Sequence, residues 1–306
     1  SDISNIDKIL WPIKKIKIYS ENSGNNELIR FEEKNSQLFS IMKNFKIYTQ
    51  LNSELNKIKY YKEKKDVPFK KLIKSGYNLI INCDSNHFIT KKFFSKKFKK
   101  KYDSIAFTTI INHKKLSSNN TATQIFTKRG PIAFLPISDD KTSIVYSIRV
   151  KTGERDLDIY KLINKFNPNF ELIKINKISK FELNSSNLRK YYRSNILAFG
   201  DLLHKLHPLA GQGFNMSVRD IKNLLDIINK KIELGLALDQ NVCVEFQNKT
   251  RSKNFVFSEG VDFIYEYFNS KNKVKNNLID TSIKYIGKNK YINKNFKKIA
   301  DIGLQN

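Results

Sequence analysis

Cysteine is nearly absent from this chain. Cys83 and Cys243 are the two in 306 residues. They form no Cys-x-x-Cys pair and no metal-binding spacing, which excludes a disulfide scaffold and suits a reducing compartment. Apolar runs are short, and none approaches the roughly 18–20 residues that a membrane-spanning helix needs. The opening residues are polar and show no secretory signal. Glycine is sparse, and the one Gly-x-Gly is Gly211/Gly213, with Met216 standing where a third glycine would complete a dinucleotide fingerprint. No Ser-His-Asp set, metal-ligand cluster or paired carboxylate stands out, as would be the case if a bound cofactor carried the chemistry.

Acidic residues are also few. There are 29 against 56 basic ones, a formal net charge of +27. Two readings stay open: attraction to an anionic surface such as nucleic acid or lipid headgroups, or compositional drift in a chain rich in Lys, Asn and Ile. The lysines are scattered, as solvated charge is. The densest cluster, Lys91-Lys92-Phe93-Phe94-Ser95-Lys96-Lys97-Phe98-Lys99-Lys100-Lys101, interleaves aromatics with lysines, as nucleic-acid binders also do, and is expected to be an amphipathic helix with a wet basic face. The chain is 40% hydrophobic and 12% aromatic. That is enough for a packed core, in two domains or one large one.

The most informative stretch runs from Asn195 to Ile228. A short apolar strand, Asn195 to Phe199, ends in Gly200-Asp201. A turn follows with His204, His207-Pro208 and Ala210-Gly211-Gln212-Gly213, then Phe214-Asn215 opens a helix. Its apolar positions Val218, Ile221, Leu224, Leu225 and Ile228 have helical spacing. Glycines at 211 and 213 let backbone N–H groups approach a ligand closely. The helix start turns its positive end to the same place, which suits an anion or a polarised ring edge. His204 and His207 are an improbable metal pair, since no further ligand accompanies them. Arg219 and Asp220 are expected to pair on the helix surface or between domains.

This stretch resembles the second flavin motif of the FAD-dependent aromatic-ring hydroxylases, with Leu202-Leu203 in place of an Ala-Ala pair. The Ala-Gly-Gln-Gly-Phe-Asn form is most similar to the ubiquinone-biosynthesis hydroxylases. Two further segments resemble that branch: Gln124 to Ser138, with its Gly130-Pro131 and Ala133-Phe134-Leu135-Pro136, and Trp11 to Ser20. The resemblance implies FAD as cofactor, with NAD(P)H or another donor reducing it. It implies that Asp201 bonds a ribityl hydroxyl and that Pro208 lies against the isoalloxazine. Gly200, Gly211, Gln212, Gly213, Phe214 and Asn215 would shape the flavin cradle. Asp84 would be a further cofactor residue from a Gly-Ala-Asp-Gly-x-x-Ser equivalent at 83–88, and Gln124, Phe134, Leu135 and Pro136 would form a substrate wall. Departures are Ser36 for an Arg in a stretch aligned at Lys34–Leu38, Ser85 for Gly, Phe88 for Ser and Lys91 for Arg. The absent fingerprint points to a fragment or processed product lacking roughly 50–60 family residues, the size of a βαβ unit plus linker, or to a decayed or split gene.

The expected fold class is α/β (α+β). A Rossmann-like FAD domain lacking its first βαβ unit would carry an inserted mixed or antiparallel substrate sheet and C-terminal helices. Residues 1–30 would give the first substrate-domain strands, 31–101 part of the FAD domain, 102–186 the substrate sheet, 187–230 the second flavin motif and 231–306 the helices. Strands are expected at 9–22, 28–31, 77–82, 106–111, 122–127, 132–137 and 143–150, with a hairpin turn at Asp139-Asp140-Lys141 and a turn at Gly24. A further strand-helix unit is expected over 155–166 and 171–183. Residues 35–58 show Leu38, Ile41, Met42 and Phe45 at helical spacing, as do Phe257, Val261, Ile264 and Phe268, and Ile279, Ile283 and Ile286. The last two sets fit helix packing or a basic amphipathic segment on a membrane.

The resemblance implies a monooxygenase that hydroxylates a polyprenylated phenol through a flavin hydroperoxide. Partners would be a lipid-like phenol and other ubiquinone-biosynthesis proteins, with cytoplasmic location and peripheral contact at the inner face of the membrane. No nucleic acid is expected. A non-catalytic scaffold relative is the alternative; a basic nucleic-acid binder rests on charge alone.

Overall fold

A computed structural model describes residues 6–21, 26–33, 36–64, 67–149, 157–207 and 211–271. In chain order the first elements are β1 (Leu10–Ile13), β2 (Lys15–Ser20), β3 (Glu27–Glu32), β4 (Phe39–Met42), α1 (Asn44–Leu55), α2 (Phe69–Lys74), β5 (Ile80–Asn82) and α3 (Phe88–Phe93). Then come β6 (Lys97–His113), β7 (Thr121–Thr127), β8 (Gly130–Ser138), β9 (Lys141–Arg149), α4 (Ile159–Lys165), β10 (Leu172–Ile175) and β11 (Ser179–Leu188). The last are β12 (Tyr192–Arg193), β13 (Ile196–Ala198), β14 (His204–Lys205), α5 (Gln212–Glu233) and α6 (Gln240–Lys271). The class is mixed α/β, with one large sheet and long helices, as expected at that level.

Two compact units divide the chain. The first contains residues up to Glu63 and Asp103–Leu183; the second contains Lys64–Tyr102 and Asn184–Tyr267. β6 and β11 contribute residues to both.

In the first unit the sheet runs β11-β6-β9-β8-β7-β2-β3, with β10 added on β6. β2–β3, β6–β9, β6–β10, β7–β8 and β8–β9 are antiparallel, whereas β2 and β7 run parallel from Lys15↔Thr121 to Ser20↔Phe126. Asp139 and Asp140 make the tight turn between β8 and β9. Period-two burial puts Ile132, Phe134, Ile144, Tyr146 and Ile148 on one face. Ile159 and Ile163, one turn apart on α4, cover that face. Asp158 caps α4 by accepting from the Lys161 N–H at 2.9 Å.

Two helix expectations give way to strands. Phe39–Met42 pairs antiparallel with β1, Leu10 opposite Met42 and Trp11 opposite Ile41, so the helical spacing at 38–45 is coincidental and the helix begins only at Asn44. The basic run after Lys91 leaves the helical state at Phe93 and enters β6 at Lys97, where burial alternates at Ser104, Ala106 and beyond as the strand joins the sheet. Lys34, Asn35, Gly24 and the 279–286 stripe lie outside the described residues, as does the side chain of Phe268.

In the second unit, β13 pairs parallel with β5, Ile196 opposite Ile80 through Ala198 opposite Asn82, and β12 adds antiparallel to β13. The core around this pair includes Ile89, Tyr191, Leu197, Leu203, Leu224, Ile227, Cys243 and Phe246.

Candidate functional site

The parallel pair in the second unit sends two chain segments out of the same edge. Asp84 follows β5 by two residues, and Gly200-Asp201 follow β13 by two. Ligands of open parallel sheets bind outside the carboxyl ends of strands. Gly200 has φ +65° and Gly211 has φ +64°, the left-handed region that favours glycine. Among the described residues, a Cβ added at Gly200, Gly211 or Gly213 would meet nothing within 4 Å. Gly211 is the N-cap of α5, and no side chain caps this 22-residue helix or adds an acid to its first turn. Its leading N–H groups and positive end are available to an acceptor.

The side chains expected to shape this corner are exposed or half-buried. Asp201, Phe214 and Asn215 are exposed and Gln212 is half-buried; Asn215 Nδ2 reaches Gln212 Oε1 at 3.5 Å, the limit of a hydrogen bond. Asp84 is exposed, and its Oδ1 accepts from the Asn86 N–H at 2.7 Å, an Asx turn. Pro208 lies outside the described residues.

Beneath the corner is a polar lock. His204 Nε2 lies 2.7 Å from Asp220 Oδ2, with both side chains fully buried. Asn254 Nδ2 on α6 donates to both Asp220 oxygens, at 3.1 and 3.2 Å. Asp220 is therefore no surface partner of Arg219, whose guanidinium instead lies 4.6 Å from the Phe257 ring. The apolar stripe of α5 is also corrected. The buried face is Met216, Asp220, Leu224 and Ile227, while Val218, Ile221 and Leu225 are about half exposed.

His207, last described residue before the glycine turn, sits edge-on to Tyr102, with ring centroids 4.9 Å apart, and lies tilted by 30° against the Tyr265 ring at 4.0 Å. Burial pushes its imidazole pKa down to about 4. The Tyr102 hydroxyl donates to the Asp262 carboxylate, and burial first, then that acceptor, pushes the phenol well above its usual range. The helical spacing at 257–264 gave no sign of this aromatic and carboxylate set.

In the first unit, Gln124 stands opposite Ala133, which shares a face with Leu135. That face is half-open. Phe134 points the other way, fully buried in the core, and Pro136 shares its side. Strand alternation thus separates the four wall candidates into two pairs. A bulge falls between Pro136 and Ser138. Here a cavity of about 290 Å³ is bordered by Ile137 together with Leu10, Trp11, Ile41 and Met42. The Trp11 indole N–H donates to the Asn119 carbonyl at 2.7 Å, which fixes the ring. Sequence reasoning missed Ile41 and Met42 as wall residues because it placed them on a helix.

Residues 99–233, from β6 through α5, match the family described as FAD binding domain. The chain is 29% identical over 154 residues to 3-demethoxyubiquinol 3-hydroxylase of Escherichia coli K12, covering 48% of this chain and 39% of that protein. It is 24% identical over 234 residues to the ubiquinone biosynthesis monooxygenase COQ6 of Danio rerio, covering 63% and 48%. Over these stretches the chain is similar to ubiquinone-biosynthesis hydroxylases. It matches less than half the length of these two hydroxylases. At the level of fold it resembles HpxO of Klebsiella pneumoniae complexed with FAD, with TM-score 0.71, 12% identity and coverage of 98% and 84%. It also resembles p-nitrophenol 4-monooxygenase PnpA of Pseudomonas putida, with TM-score 0.70, 11% identity and coverage of 98% and 83%. Among the described residues no helix is long and apolar enough to cross a membrane.

Proposed function

We propose that this chain is the body of an FAD-dependent monooxygenase that hydroxylates a polyprenylated phenol in ubiquinone biosynthesis. The observation that carries the reading is the glycine corner of the second unit: a left-handed Gly211 at an uncapped helix start, with open space where a side chain would be. The residues fit a flavin. The α5 N–H groups at Gly213 to Asn215 would hold the N1–C2=O edge, where reduction adds negative charge. Asp201 would accept from a ribityl hydroxyl, and Pro208 would lie against the ring. Asp84 has one carboxylate oxygen beyond its turn for the cofactor's sugar-phosphate chain. FAD, once reduced and exposed to O₂, would supply the oxygen that enters the phenol ring.

The first unit would seat the phenol against the Gln124 and Leu135 face of its sheet, and apolar walls there would exclude water. The fuller form of the reading has a βαβ unit ahead of this segment completing the adenosine side, and peripheral contact with a membrane delivering the substrate. A scaffold without turnover is the second reading, favoured by the commitment of Asp84 Oδ1 to its own turn.

The test is titration of the chain with FAD, followed by flavin fluorescence and visible absorbance. Saturable binding is expected, and Gly213→Glu should abolish it while the far-UV circular dichroism stays unchanged. Equal flavin binding by the two proteins would refute the corner as the site. Flavin binding with no oxygen-dependent hydroxylation of a prenylphenol, in a chain extended to relative length, would favour the scaffold.

A further inference from the structure

The first unit carries a helix that turns its apolar side away from the protein. α1 buries none of its residues. Phe45, Tyr48, Leu51 and Leu55 follow one another at helical spacing, which lines them along one side. Phe45 is 64% exposed and Tyr48 71%, and Leu51 and Leu55 are exposed as well. The half-buried positions are Ile47, Gln50 and Glu54, on the adjoining side. An amphipathic helix normally does the reverse and lays its apolar stripe on the core. The exposed apolar surface continues past the helix end through Ile58, Tyr60 and Tyr61.

Lysines stand at both ends of this stripe: Lys43 and Lys46 at its start, and Lys57, Lys59 and Lys62 beyond its last turn. Lys57 pairs with Glu54 at 2.8 Å. Among the described residues, Lys43, Lys46, Lys59 and Lys62 form no ion pair. The first turn of α1 has no acid and no side-chain cap, so the helix adds its positive end to the same surface.

What covers such a surface must be apolar where the stripe is and anionic where the lysines are. A second copy of the chain would set lysines against lysines, whichever way the two helices ran. A nucleic acid would meet the lysines but leave Leu51, Leu55 and Ile58 in water. Continuation of the stripe into the turn after the helix suits a plane rather than a groove cut for one helix. Tyrosine, with an apolar ring and a polar tip, settles at the boundary between lipid and water. We infer that α1 and the turn after it dock on a membrane surface rich in anionic lipid. Phe45, Tyr48, Leu51 and Leu55 enter the headgroup boundary, and the lysines lie among the headgroups. The inference rests on the hydroxylase reading for its purpose. Met42 and Lys43 border the cavity of this unit and lead straight into α1, so docking sets that cavity beside the lipid that would carry a prenylated phenol.

The test is flotation of the full 306-residue chain with vesicles of phosphatidylcholine alone, or of phosphatidylcholine mixed with phosphatidylglycerol. It needs neither flavin nor substrate. Binding to the mixed vesicles is expected to be at least about tenfold tighter, with the difference shrinking in high salt. F45S/L51S and K46Q/K57Q/K59Q should each lower that affinity about tenfold. Trp11, the single tryptophan, sits on β1 opposite Ile41, so unchanged indole emission shows that a variant has folded. If either variant fails to fold, Tyr48→Trp decides: its added emission should shift to the blue on mixed vesicles. No preference for anionic lipid, unchanged binding by folded F45S/L51S, or no shift in Tyr48→Trp would overturn the inference. So would a dimer in solution that F45S/L51S dissolves, which would mark the stripe as a contact between copies. Loss of vesicle binding in a folded chain extended to relative length would show that an added segment covers the stripe, and would overturn it too. A chain that binds mixed vesicles but takes up no FAD keeps this inference and loses the cofactor reading; the opposite result does the reverse.

Discussion

The carboxylate of Asp220 lies 2.7 Å from Nε2 of His204, and neither side chain reaches solvent. This pair ties β14, just before the glycine turn, to the helix that follows it. Asn254 adds α6 through two further hydrogen bonds to the same carboxylate. His204 Nδ1 has no hydrogen-bond partner among the described residues, so the ring depends on its Nε2 contact. Replacing Asp220 by Ala leaves His204 and Asn254 without their shared acceptor. Losing one member of a buried hydrogen-bonded pair costs on the order of 3 kcal/mol. Urea denaturation should show a fall of that order, with flavin affinity falling too; an unchanged midpoint would show that the lock is not holding the corner.

Two glycines should respond in opposite ways to the same change. A Cβ at Gly130 would stand 2.1 Å from the Ser147 carbonyl oxygen, on a backbone with φ +132°. Gly130→Ala is expected to cost more than about 2 kcal/mol, since neighbouring sheet backbone must shift. A Cβ at Gly213 meets nothing within 4 Å, and the residue is helical. Gly213→Ala should leave stability level or raise it by up to about 1 kcal/mol. It should weaken FAD binding if the open space is the ligand's. Thermal melts of the two variants check the first contrast, and flavin titration checks the second.

His207 predicts a pH dependence. Its folded pKa of about 4 lies below the usual 6.5, so the unfolded chain binds the proton more readily. Stability from keeping it neutral is fully present above pH 6.5 and is lost progressively as pH falls toward 4. The total is about 3 kcal/mol. The groups facing the ring include Tyr102 and Tyr265, with Asp262 behind Tyr102. Comparing melts of the native chain and His207→Gln between pH 7 and 4 isolates the effect. Parallel curves would show that His207 does not titrate between folded and unfolded states.

The two thiols should differ in reactivity. Cys83 is exposed, whereas Cys243 is fully buried and burial pushes its pKa up to about 11. A disulfide exchange reagent is expected to label one cysteine in the folded chain and two in denaturant. Rapid labelling of both under native conditions would mean that α6 does not pack as described.

Much of the strand pattern was legible in the sequence. β7, β8 and β9 announce themselves through alternation and through the Asp139-Asp140 turn, because a sheet with one covered face imposes period two on its residues. The α5 helix was legible for the same reason at period 3.6. Which of its two apolar stripes is buried was not. Val218, Ile221 and Leu225 are as apolar as Leu224, and only the neighbours of the helix select the inward face. Phe39–Met42 was misread because four apolar and small residues carry no period of their own, and pairing with β1 decided their state.

The sequence alone determined the chemistry available at the corner: glycines at 200, 211 and 213, an acid at 201, and a helix start free of a capping side chain. Those are local properties, set by which backbone conformations and donors each residue allows. Tertiary structure alone decided that Asp220 would be an internal partner for His204 and Asn254, and that Trp11, Ile41 and Ile137 would border one hollow. Those pairings join residues far apart in the chain. Their partners are chosen by burial and packing, which one segment cannot encode by itself.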